Sequence, residues 1–69
     1  MPNHVYKSIE ITGSSSKTVE DAINGAIAKA ANTLHNLRWF QVSEVRGAIE
    51  ANKVSHSQVT MKLGFTLDD

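Results

Sequence analysis

From Gln58 to Leu67 the chain alternates without interruption. Val59, Met61, Leu63, Phe65 and Leu67 take one parity, and Gln58, Thr60, Lys62, Gly64 and Thr66 take the other. Period-two alternation of this kind predicts a strand with one buried face and one open face. The apolar parity needs a cover, and the chain contains one segment able to supply it. Val19, Ala22, Ile23, Ala26, Ile27, Ala30, Ala31 and Leu34 recur at steps of three and four, which is one apolar stripe along a helix. A single helix covers one side of a sheet, so the other side has nothing in this chain to bury it.

The remaining segments complete the order. His4 to Thr12 carries Val5, Ile9 and Ile11 on one parity, interrupted by Lys7, and reads as a first strand that Gly13-Ser14-Ser15-Ser16 breaks. Thr18 stands just before Val19, Glu20 and Asp21, placing a capping hydroxyl and two acids at the positive end of a helix. The stripe predicts that this helix ends near Leu34 to Asn36, about 25 Å from its start at 1.5 Å per residue. Leu37 to Ile49 and Val54 to Leu67 read as two long strands joined by a polar turn, Glu50-Ala51-Asn52-Lys53, with Gly47 as a candidate bulge. The expected fold is α+β, β-α-β-β: a three-stranded antiparallel sheet with one helix packed on one face, forming a single domain over residues 1–69. Strands of this length overhang the helix.

Pairing Ile49 with Val54 sets position 45 opposite 58 and 43 opposite 60. In that register Trp39, Gln41, Ser43 and Val45 share the uncovered face with His56, Gln58, Thr60 and Lys62, while Phe40 and Val42 face the helix with Met61, Leu63 and Phe65. The only tryptophan therefore lies on the face without a cover. Fully burying such a ring is worth more than about 2 kcal/mol, so either another subunit or a ligand is expected against it.

Size points the same way. A chain of 69 residues buries only roughly 60% of its unfolded surface and needs reinforcement. The sequence has no cysteine, which removes disulfides and thiolate metal sites, and His4, His35 and His56 have no metal-ligand spacing. Association with other subunits remains. Seven basic and seven acidic residues leave no net charge, which argues against nucleic acid and anionic membranes as partners. The opening MPNHVYKSIEITG has no apolar run of signal-peptide type, and no stretch approaches a membrane span, so a cytoplasmic protein is expected. Glu10, Glu44 and Glu50 form no carboxylate pair, and no phosphate loop or nucleophile–base arrangement is recognisable, so no catalytic residue is assigned.

Several stretches, in order, resemble one family. They are Val5-Tyr6-Lys7, Ile9-Glu10-Ile11-Thr12-Gly13-Ser14, Thr33-Leu34, Leu37-Arg38-Trp39-Phe40, Val45-Arg46-Gly47 and Gln58-Val59-Thr60-Met61-Lys62-Leu63-Gly64-Phe65. Together they resemble the dodecins, small flavin-binding proteins of bacteria and archaea. The resemblance implies a hollow spherical homododecamer that binds FMN or riboflavin non-covalently, in pairs at subunit interfaces. It implies storage, buffering and photoprotection of flavin, without catalytic turnover. On the matching positions, Trp39 stacks on the isoalloxazine, Gln58 hydrogen-bonds its polar edge, and Arg46 reaches a flavin phosphate, with Val45 beside it. Tyr6, Lys7, Lys29 and Thr33 match positions where a phosphate or coenzyme A would make secondary contacts. Thr66 stands where some bacterial members carry a basic residue that helps hold phosphate-bearing ligands. Two other readings stay open: an interaction oligomer in which Trp39 is only interface packing, and a small enzyme using bound flavin for redox chemistry.

Overall fold

A computed structural model describes residues 3–67. Its order is β1 (Tyr6–Ser15), α1 (Val19–Ala30), β2 (Leu37–Glu50) and β3 (Lys53–Thr66). The three strands form one antiparallel sheet in the order β1-β3-β2, so the alternating C-terminal strand is central and is paired on both edges. The expected β-α-β-β architecture is the one observed.

The core forms where the two predicted apolar patterns meet. Val59, Met61 and Leu63 of β3 are fully buried together with Ala22 of α1. Ile9 and Ile11 of β1 and Ile23, Ala26, Ile27 and Ala30 of α1 pack around them. Small residues allow the close approach. An added Cβ at Gly13 would run into the Ala22 carbonyl and come within 2.8 Å of the Ala26 Cβ. Gly13 therefore marks where the helix backbone rests on the sheet, and it lies inside β1, opposite Val59. The strand expected to break at Gly13 instead runs on to Ser15 and begins at Tyr6 rather than His4. A glycine read as a turn former is here a contact point.

The helix begins as predicted. The Thr18 side chain accepts a hydrogen bond from the Asp21 backbone N–H at 2.9 Å, and the Ser15 hydroxyl donates to the Asp21 carboxylate at 2.7 Å. Its regular part ends at Ala30, earlier than the expected Leu34 to Asn36. The next turn tightens, with Asn32 N–H bonding Lys29 and Thr33 N–H bonding Ala30 three residues back, and Asn36 at φ 64° redirects the chain into β2. Twelve helical residues span about 18 Å at 1.5 Å each. The 14 residues of β3 span about 47 Å at 3.3–3.4 Å each. The chain is correspondingly elongated, 54 × 21 × 15 Å.

The helix packs on β1 and β3 and barely reaches β2. The helix thus lies on one face of the sheet, as expected, and covers that face over β1 and β3. Every residue of β2 except Leu37 and Ala48 is exposed, so this edge strand is open on both faces. Glu50 and Lys53 close the β2–β3 hairpin, with Ala51 and Asn52 at φ 52° and 63° in the two-residue loop between them.

Candidate functional site

Three register shifts in the β2–β3 ladder decide which side chains share the open face. They fall between Leu37 and Trp39, between Val42 and Glu44, and between Ala48 and Ile49. Ile49 lies opposite Val54 as expected, but the last shift moves the middle of the strand by one residue. Glu44 faces Thr60, Val45 faces Val59, and Arg46 faces Gln58. Gly47 itself stays in the ladder opposite Ser57, so the irregularity expected near it falls one residue later.

Two expectations change. Val45 does not share the face of Trp39 and Gln58; it lies on the helix side with the buried Val59, beyond the reach of the helix. Ser43 sits at the bulge, its hydroxyl donating to the Thr60 carbonyl at 3.2 Å. Arg46 moves onto the open face as the direct cross-strand neighbour of Gln58. Beyond the bulge the strands return to the expected register, with Gln41 opposite Lys62 and Trp39 opposite Gly64.

The open face is polar across most of its length. Ser14, Gln58 and Arg46 form one row across the three strands, and Thr12, Thr60 and Glu44 form the next. The Thr12 and Thr60 hydroxyls are 3.0 Å apart. Glu10, Lys62 and Gln41 follow, and then Ser8, Gly64 and Trp39. Trp39 lies over Gly64, and an added Cβ there would fall among the indole atoms Cε2, Cζ2 and Nε1. Trp39 is still 40% exposed. Supported from below at Gly64 and open outward, its indole makes a flat apolar platform at one end of a polar face.

Gln58 and Arg46 are together, but Trp39 is not with them. Gln58 and Gly64 are six residue steps apart on β3, which is about 20 Å at 3.3–3.4 Å per residue. No planar molecule of three fused rings reaches from one to the other within a chain. On the helix side of the sheet, Ile27, Leu37, Arg38, Trp39, Phe40 and Leu63 line a hollow of about 160 Å³. That is below the roughly 300 Å³ at which small-molecule sites begin. Trp39 and the Gln58–Arg46 pair therefore do not form one site within a single chain.

The other matched positions divide between places. Lys29 and Thr33 line a groove of about 600 Å³ between α1 and β1, floored by Ile9, Ile11 and Gly13. Tyr6 lies on the open face beside Thr66, while Lys7 faces the other side opposite Phe65. Thr66 is buried, and its N–H donates to the Asn36 carbonyl at 3.2 Å. Sequence reasoning missed Gly64 as part of the site; its signal was a glycine in the middle of a strand paired on both sides, where it weakens the strand unless something approaches closely. No group of three or more His, Cys, Asp or Glu able to hold a metal occurs among the described residues, and no described helix is long and apolar enough to cross a membrane.

The fold and sequence are similar to those of known proteins. A dodecin from Thermus thermophilus is 43% identical over 65 residues, covering 94% of each chain. The structure of dodecin from Streptomyces davaonensis superposes with a TM-score of 0.90 at 48% identity, over 99% of this chain and 100% of that one. A Thermus thermophilus dodecin variant with phenylalanine in place of a tryptophan superposes with a TM-score of 0.91 at 40% identity, over 97% of this chain and 100% of that one. The dodecin family pattern matches residues 5–68, which span all three strands, the helix and the open face just described, so the chain belongs to the dodecin family.

Proposed function

We propose that this protein is a non-enzymatic flavin-binding oligomer, a homododecamer, that stores FMN or riboflavin and protects it from light. The observation that carries the reading is Trp39, its indole seated on Gly64 and the residue 40% exposed on a face that the helix does not cover. An isoalloxazine is flat, aromatic and electron-poor. Stacking it on an indole is favourable by about 0.5–1.5 kcal/mol beyond the area buried. A symmetry-related Trp39 closes the far side of a stacked flavin pair. An electron-rich indole held against a photoexcited flavin quenches it, which accounts for protection without turnover.

Gln58 offers an amide acceptor and donors to the alternating edge of the ring, and Arg46 beside it offers a fork for a phosphate. Because this pair lies about 20 Å from the Trp39 level of the same chain, it serves a flavin stacked on a neighbouring chain's Trp39. Val45 faces away and contributes to the site only through its backbone or through packing between subunits. In the groove between α1 and β1, Lys29 and Thr33 offer a cation and a hydroxyl to a secondary phosphate or coenzyme A. Tyr6 and Lys7 lie on opposite faces of β1, so each would reach such a ligand from a different subunit.

The test is a fluorescence titration. FMN or riboflavin added to the assembled protein should lose most of its emission until the sites fill. Full flavin brightness in the presence of excess oligomer would favour the interaction oligomer, with Trp39 as packing alone.

A further inference from the structure

We infer that Gly64 is a positioning residue for flavin binding: its missing side chain is the seat that holds the Trp39 indole at a fixed height and tilt. The inference rests on the flavin reading above and names a residue that reading does not use. Gly64 sits in the central strand, paired with Ser8 on one side and Trp39 on the other. A glycine there sacrifices strand propensity and packing. Backbone geometry does not require it, because no described glycine has a positive φ.

What requires it is space. The position of its absent Cβ lies against indole Cε2, with Nε1 and Cζ2 to either side. Nearest approach to a ring-fusion atom, with its bonded neighbours farther off, is contact with the ring face and not its edge. One face of the indole therefore rests on the β3 backbone, and the other is presented outward. Gly64 is buried beneath it although it lies on the open face of the sheet. Any side chain at position 64 lifts or swings the ring, and offset stacking depends on that placement.

The experiment is a double-mutant cycle of Gly64→Ala and Trp39→Phe, read by flavin affinity, native mass and near-UV circular dichroism of the ligand-free protein. A phenyl ring lacks the Nε1 and Cζ2 atoms that occupy the space over Gly64. With Trp39 present, Gly64→Ala should weaken flavin binding by about tenfold, within the coupling range of contacting side chains. With Phe at position 39 the same change should alter binding by about twofold or less. The near-UV band of the sole tryptophan should change in Gly64→Ala before any flavin is added, with native mass unchanged. Assembly lost in Gly64→Ala but regained in the double variant also supports the seat. Equal losses in both backgrounds, loss of assembly in both, or an unchanged tryptophan band with unchanged binding would overturn it. If wild-type protein binds no flavin, the functional reading fails, while the tryptophan band still decides the role of Gly64.

Discussion

Flavin mixed with the Trp39→Ala protein is expected to stay bright. Alanine removes the ring that supplies both the stacking surface and the quencher, and leaves Gly64 and the polar rows of the open face in place. The loss comprises the aromatic term of about 0.5–1.5 kcal/mol and the burial of a large ring, worth more than about 2 kcal/mol. Together these correspond to a drop in affinity of about a hundredfold or more. The fold should survive, since Trp39 lies outside the core of Ala22, Val59, Met61 and Leu63. Native mass measured beside fluorescence separates the readings. An intact oligomer that no longer quenches supports stacking. Lost assembly, with no flavin effect in the wild type, supports packing. Quenching retained at wild-type strength would remove Trp39 from the site.

Placing glutamate at both Phe40 and Val45 should dissolve the oligomer into chains of 7.5 kDa. Both residues lie on the helix side of β2, which the helix barely reaches, and they are 48% and 54% exposed. Val42, between them, is exposed as well. A row of large apolar side chains on an uncovered edge strand is a surface built for another chain. Fully burying each is worth about 1.5–3 kcal/mol, and replacing it with a carboxylate also sets charges inside the interface. Because neither residue is buried within the chain, the effect should appear in sedimentation as a smaller species, and flavin quenching should vanish with it. An oligomer of unchanged mass would show that subunits meet through other surfaces.

How far the fold could be read depended on what each residue packs against. The β3 alternation and the helix stripe were legible because core burial imposes a strict period, and Val59, Met61, Leu63 and Ala22 are where both predicted faces meet. Gly13 misled because a glycine that ends a strand and one that admits a helix backbone look alike in sequence. Leu34 extended the helix stripe on paper, but Asn32, Thr33 and Asn36 favour a tightened turn and a left-handed residue over continued helix. The register was right from Trp39 to Val42 and again at Ile49 and Glu50, and ran one residue off from Glu44 to Ala48, since neither flanking irregularity, one of them at Ser43, carries a mark in the sequence. That offset exchanged Arg46 for Val45 on the open face. The Trp39 and Gln58 parities survived it, and their separation along β3 was already implicit in the expected register, which also sets Trp39 opposite Gly64.

In the proposed function, one chain holds only part of a flavin site and assembly completes it. Native mass spectrometry of the protein with FMN or riboflavin tests this most directly, because it weighs each species with its ligands attached. Flavin should appear only on the assembled species, near twelve times the 7.5 kDa chain, and approach one per chain at saturation. Flavin bound to the single chain, or an oligomer that carries none, would contradict it.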